Sequence, residues 1–506
     1  MLTNILQYLE QTAPRLPDKL AFSDGEQGLT YGELWNISRA VGSAICVRGL
    51  KREPVVILME KSAMEIAVFL GVIYAGCHYV PMDAEMPKLR MQKIIETLRP
   101  RLLICSAKTE KAARELPFDG EIALAEMLAE SPLQTDALDA VRRAQIDTDP
   151  IYVVFTSGST GVPKGVAACH RSVIDYTESL CEALPFGEET VFGNQTPLYF
   201  DAPLKEIMPT LKYGATTYFI PKKHFMFPLK LAEYLNTYRI NTVCWVVSAL
   251  TMISSFGVLE KCLPRYLHTV AFGSEVFPIR QFNLWRQALP QARFFNLYGP
   301  TEATGMSCYY EATRLFDDQE TIPVGRPFRN TGLLLVTEEG REAAPGERGE
   351  IFLRGTCVTL GYYRNPEKTA EAFVQNPLND AYPETVYRTG DLGYLNEAGE
   401  LMFVGRRDHQ IKHMGHRIEL GEIEAAAATD PAVRRACCLY DEDAKKIAIF
   451  YTGDIIPSVL TATLKSLLPR YMLPAIVRQL ESMPLTANGK LDRQTLRTML
   501  RESNEK

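Results

Sequence analysis

One stretch constrains the fold more than any other: Ile151-Tyr-Val-Val-Phe runs without a break into Thr156-Ser-Gly-Ser-Thr-Gly-Val-Pro-Lys164-Gly165. Consecutive large apolar residues, several of them β-branched, mark a strand buried on both faces, as in a parallel sheet covered by helices. The loop that follows holds three glycines, two serines, two threonines and one lysine. Bare backbone N–H groups, hydroxyls and one ammonium suit phosphate oxygens. A flexible Ser/Gly linker is the bland alternative, but linkers do not follow a buried strand or close on Pro-Lys-Gly. The motif GxxxxGK[ST] is not met, because Gly165 follows Lys164.

Around this loop the chain alternates helix-like and short apolar segments. Residues 63–76 are apolar at helical spacing and stop at Gly76, residues 88–97 are again helical, and Arg101-Leu-Leu-Ile-Cys105 reads as a buried strand. The expected class is α/β, with parallel-type sheets flanked by helices up to about residue 300. After residue 320 the texture turns to β-segments between turns, which predicts a β-rich subdomain. The last stretch mixes helical (419–428, 456–468) and strand-like (446–452) runs, as in a small α+β domain. With 506 residues the chain is too long for one core. The expected division is a core domain over 1–405 and a small mobile C-terminal domain over 406–506.

Composition excludes several function classes. Lys plus Arg (55) against Asp plus Glu (61) gives −6, so no strongly basic surface points to nucleic acid. Eleven cysteines are scattered without a CxxC pair, which disfavours a disulfide framework and a cysteine zinc site. The N-terminus is amphipathic and unlike a signal peptide, and the apolar run Ile66–Ala75 is half the roughly 20 residues that span a bilayer. A soluble, reduced, cytoplasmic chain with no membrane span is expected.

Further motifs follow in order: Leu29–Leu34 (LTYGEL), Tyr74–Asp83, Asn296–Glu302 (NLYGPTE), Gly346–Glu350, Tyr387–Asp391 (YRTGD), Gly405–Asp408 (GRRD), Ile411–Glu419, Leu468–Pro474 and Asn488-Gly-Lys490. Together with the Thr156–Lys164 loop they resemble the adenylate-forming superfamily over essentially the whole chain. That group includes acyl-CoA ligases, luciferases and the adenylation domains of nonribosomal peptide synthetases.

The resemblance implies the roles. ATP and Mg²⁺ are the expected cofactors, with cations meeting the charge that develops on the α-phosphate. Thr156, Ser157, Gly158, Ser159, Thr160, Gly161 and Lys164 would cradle pyrophosphate, and Glu302 would hold Mg²⁺. Asn296, Leu297, Tyr298, Gly299, Pro300 and Thr301 would lie along the adenine and α-phosphate, with the Tyr298 ring on the base. Asp391 would accept the ribose hydroxyls, with Phe403, Val404, Gly405 and Arg406 closing the same side. Lys490 would bridge the substrate carboxylate and the α-phosphate, a role suited to a compact ammonium. Asp408 would be the hinge of a domain rotation that brings the loop around Lys412 to the nucleotide as Lys490 leaves.

For the acid being activated, Asp201 matches the aspartate with which amino-acid-activating members pair the α-ammonium. The pocket carried over by resemblance is Asp201, Ala202, Lys205, Trp245, Ala271, Gly273, Leu297, Gly305 and Met306. Lys205 is unusual there. Pointing inward it would call for an acidic substrate side chain, since an unpaired buried ammonium is costly; pointing outward, Trp245 and Met306 would leave a small pocket for alanine. Asn194–Asp201 and Gly273–Pro278 resemble the D-alanine–D-alanyl carrier protein ligases, whereas Ala202–Lys205 and Cys244–Ser248 do not. No carrier signature follows Lys490, so the expected acceptor is the phosphopantetheine of a separate carrier protein.

His409, His413 and His416 lack the glutamate of an HExxH site, Gln410 standing in its place. Two alternatives stay open at this level: an acyl-CoA ligase for a non-amino acid, and a non-catalytic ATP-binding scaffold.

Overall fold

The computed structural model describes residues 2–157, 163–407, 410–484 and 491–504. It is a mixed α/β fold, as expected. Helix Ala63–Tyr74 is capped by the Ser62 hydroxyl, which accepts from the Glu65 amide, and ends before Gly76, whose φ of 71° needs no Cβ. Lys88–Leu98 is a helix and Leu102–Cys105 a fully buried strand.

Two sheets are mainly parallel. The six-stranded one places Pro54–Leu58 and His78–Met82 beside each other and then Pro150–Thr156 and Lys164–Cys169, so the hydroxyl-rich loop leaves the carboxyl end of a buried strand. The nine-stranded one has Val191–Asn194, Thr242–Val246, Thr269–Gly273 and Arg293–Tyr298 as parallel neighbours. Strand Val191–Asn194 stops ahead of Thr196-Pro197, where a proline could not donate to the ladder. The β-rich subdomain is present as a five-stranded sheet that includes Thr331–Val336, Gly349–Gly355, Thr385–Leu395 and Leu401–Arg406.

The chain divides into two compact units. One comprises Met1–Ala84, Leu98–Val154 and Gly165–Arg407; the other comprises Glu85–Thr97, Phe155–Lys164 and Asp408–Lys506. The second unit contains the hairpin Gln410–His413/His416–Glu419 and a three-stranded sheet, Val433–Asp441, Lys446–Gly453 and Ile476–Gln479, packed with Leu420–Ala427 and Pro457–Leu467. Inside it Arg90 pairs with Glu422, both nearly inaccessible. Among the described residues no helix is long and apolar enough to cross a membrane.

Candidate active site

The parallel strands of the larger sheet end side by side, the place where open α/β sheets bind ligands. Their register sets which side chains share a face. Cys244, Ala271 and Phe295 are aligned, as are Val246, Gly273 and Leu297 two residues on; Trp245, Phe272 and Asn296 alternate to the opposite face. Ala271, Leu297, Met306 and Cys244 accordingly belong to one apolar core, while Trp245 and Phe272 belong to another. Trp245 donates its indole N–H to the Gly193 carbonyl at 2.6 Å and packs edge-on against Phe225. Trp245 therefore lies on the face opposite Cys244, Ala271 and Leu297.

Asp201 sits on the loop into helix Leu204–Tyr213, its carbonyl accepting from the Leu204 amide. A Cβ at Gly305 would stand 3.6 Å from Asp201 Oδ2 and 3.8 Å from the Tyr176 hydroxyl, and Gly305 has a φ of 91°. Asp201 and Gly305 are thus brought together, Met306 follows Gly305 in the chain, and Tyr176 is a neighbour the sequence does not name. Burial pushes the Asp201 carboxyl up; Lys205 and the Thr301 hydroxyl hold it down in part. Ala202 lies next to it, half-buried.

Lys205 is 6 % exposed, so its side chain turns into the protein. Its charged surroundings are Asp201 and Glu206, with the Cys244 thiol close enough to feel it. Glu206 is fully buried, accepts weakly from the Asn194 amide at 3.4 Å, and is pushed up to about 8 by loss of water. Lys61 completes the group. Its ammonium donates to Asn194 Oδ1 at 3.1 Å and to the Gln195 carbonyl at 3.2 Å, and burial lowers it to about 8. Lys61, Asn194 and Glu206 were missed at the level of sequence. Glu206 adjoins Lys205, but nothing local to Lys61 announces a partner 145 positions away.

Tyr298 and Asp391, which the resemblance names for the nucleotide, meet. The Tyr298 hydroxyl donates to Asp391 Oδ2 at 2.5 Å, and Arg406 Nη1 donates to Oδ1 at 2.6 Å. Each carboxylate oxygen keeps a second lone pair for a ribose hydroxyl. The Tyr298 ring is 4 % exposed, with Phe403 tilted 6.2 Å away. Asn296 turns to the other face, donating its amide to the Pro323 carbonyl at 2.8 Å.

Gly299 could carry no side chain, since a Cβ would fall 2.5 Å from the Gly305 carbonyl and from Met306 Cα. That close approach folds Pro300–Met306 back over the strand end. Within it Glu302, fully buried, accepts from the Tyr362 hydroxyl at 2.7 Å, and its carbonyl receives the Thr359 amide. Thr304 is held at φ 57° by a hydroxyl bond to the Cys357 carbonyl. Val404 is 38 % exposed and Gly405 half-buried.

In the second unit, Thr156 is buried with no hydrogen-bond partner for its hydroxyl among the described residues, and Ser157 donates to the Arg417 carbonyl at 2.7 Å. Lys164 begins a strand, and Lys412 stands on the hairpin turned by Met414 and Gly415. His413 and His416 face Tyr440 and Tyr471, the latter stacked at 3.8 Å. Gly158, Ser159, Thr160, Gly161, Asp408, His409 and Lys490 lie outside the described residues.

A parallel-sheet core, a buried Gly-Pro-Thr-Glu turn and a Tyr–Asp–Arg cluster coincide with a family match: residues 9–363 fit the AMP-binding enzyme family. The chain belongs to that family. It is 32 % identical to the D-alanine–D-alanyl carrier protein ligase of Bacillus licheniformis over 97 % of this chain and 99 % of that one. It is 30 % identical to tyrocidine synthase 1 of Brevibacillus parabrevis over 97 % of this chain, yet spans only 45 % of that synthase. Its fold is similar to the Vibrio cholerae adenylation domain AlmE solved with glycyl-adenosine-5'-phosphate, with a TM-score of 0.85, 20 % identity and coverage of 99 % and 98 %.

Proposed function

We propose that the chain activates an amino acid with ATP. The substrate carboxylate oxygen attacks the α-phosphorus, the bond to the bridging oxygen breaks, and pyrophosphate leaves as aminoacyl-AMP forms. A thiol on the phosphopantetheine of a separate carrier protein then displaces AMP. The observation that carries this reading is Asp201, a carboxyl drawn toward the pocket wall at Gly305, where an ammonium would pair with it in place of water. Full-length similarity to a D-alanyl carrier protein ligase supports the carrier as acceptor.

Asp391 would receive the ribose, and the Thr156–Lys164 loop the leaving pyrophosphate. Among the described residues the Thr156 hydroxyl has no partner, which supports a polar ligand there. Glu302 suits Mg²⁺, a hard cation that takes carboxylate oxygen, and the Tyr362 hydroxyl orients it. Bound there, Mg²⁺ would neutralise charge on the phosphates. Asp408 would be the pivot on which residues 406–506 turn, exchanging Lys490 for Lys412.

The test is amino-acid-dependent exchange of pyrophosphate into ATP, across proteogenic and D-amino acids. Exchange with one of them is expected. Its absence with all, together with acylation of CoA by a non-amino acid, would replace this reading with an acyl-CoA ligase.

A further inference from the structure

We infer that Lys61 is a positioning residue for the amino-acid site: it pins the neck of the loop that carries Asp201. This rests on the site being one that activates amino acids. Lys61 stands between strand Pro54–Leu58 of the six-stranded sheet and helix Ala63–Tyr74. Its ammonium reaches across to the nine-stranded sheet at the point where Val191–Asn194 ends. There it meets three oxygens: Asn194 Oδ1 at 3.1 Å, the Gln195 carbonyl at 3.2 Å and, more weakly, the Asn194 carbonyl at 3.5 Å. One side chain thus ties together the carboxyl ends of strands from two sheets.

The tie reaches Asp201 through Asn194. An ammonium only donates, so it selects the oxygen of the Asn194 amide and turns the NH2 group the other way, toward Glu206 Oε2 at 3.4 Å. Asn194 and Glu206 are both fully buried. Glu206 lies in the first turn of helix Leu204–Tyr213, and successive backbone bonds join that turn to Asp201. The carbonyls of Asp201, Ala202 and Pro203 accept from the amides of Leu204, Lys205 and Glu206 at 3.0, 3.2 and 3.0 Å. Asp201 and Glu206 therefore move as one block. The chain leaves at Asn194 and returns with Glu206, and Lys61 holds the place where the two ends meet. The ammonium also lies between two buried carboxyls, Glu206 and Glu65, with Glu60 and Asp83 acting on Glu65. The charges that Asp201 feels most are Lys205 and Glu302, so Lys61 acts on it through position. A shift of about 1 Å in a substrate-holding group can cost about a hundredfold in rate.

The experiment measures pyrophosphate exchange with the preferred amino acid and with its analogue lacking the amino group, in wild type, Lys61→Met, Lys61→Arg, Asn194→Leu and the double variant Lys61→Met/Asn194→Leu. Lys61→Met should raise KM for the amino acid at least tenfold while KM for ATP moves less than about twofold. It should also lower the preference for the amino acid over the analogue, in kcat/KM, at least fivefold, and Lys61→Arg should recover most of that preference. Asn194→Leu should behave like Lys61→Met, and the double variant should lose no more than the worse single one, because both break the same tie. A general loosening of the fold would slow amino acid and analogue alike. An unmoved preference in Lys61→Met, or losses that multiply in the double variant, overturns the proposal. If Lys61→Met does not fold, Lys61→Gln, a shorter and uncharged donor, decides by the same preference. A wild type that exchanges with no amino acid overturns the amino-acid reading and this proposal with it, whereas wild-type exchange with an unmoved preference in the variant overturns this proposal alone.

Discussion

Single residues in this protein carry opposed duties, and His78 shows the cost of one with no duty visible. It is 1 % exposed, rests on the Tyr363 ring, and neither ring nitrogen has a hydrogen-bond partner among the described residues. Burial lowers its protonation to about 4. The folded state therefore keeps it neutral while the unfolded chain takes up a proton below about 6.5. Stability from this group is intact above 6.5 and is lost as the pH falls toward 4, about 2 kcal/mol by pH 5. His78→Phe should shrink the drop in apparent Tm between pH 7 and pH 5. His170, lowered to about 3 in the same direction, leaves some slope behind. An unchanged drop would show that His78 is protonated within the fold.

At the scale of elements, much of the fold was legible. The continuous apolar run in Arg101–Cys105 became the fully buried parallel strand Leu102–Cys105, and Gly76 ended its helix. Strands of that kind hide one thing, which is their facing. Where both faces are buried there is no polar alternation, and a shift of one residue exchanges every side chain. Cys244-Trp245 is that case: the resemblance names Trp245 for the pocket, whereas the register puts Cys244 on the face of Ala271 and Leu297. Cys244→Met should raise KM for the amino acid at least tenfold with little change in KM for ATP. Trp245→Phe should leave both constants near wild type while lowering Tm, since it removes the bond to Gly193. The reverse pattern would restore Trp245 to the pocket.

For the molecule as a whole, motifs far apart in sequence were readable because each sits at a strand end or turn: Asn296–Glu302 closes one strand and Asp391 faces Arg406 across another pair. What joins them was not readable. Glu302 accepts from Tyr362, and Lys61 and Glu206 both bond to Asn194, contacts made only when distant elements pack. The net charge of −6 also takes on meaning, since an acidic carrier protein would have to dock against it through a local patch. If Lys490 bridges carboxylate and phosphate, Lys490→Ala should slow adenylation by at least two orders of magnitude, about 3 kcal/mol of transition-state stabilisation. Near-normal exchange would remove that role.

The central claim is that Asp201 makes this an enzyme for amino acids, and it is tested most directly by one ratio. Exchange is measured with the preferred amino acid and with its analogue lacking the amino group, in wild type and in Asp201→Ala. The wild-type ratio of kcat/KM should be at least a hundred and should fall below about ten in the variant, by the loss of one charge-assisted pair. An analogue that serves wild type equally well, or a ratio that Asp201→Ala leaves unchanged, would contradict the account.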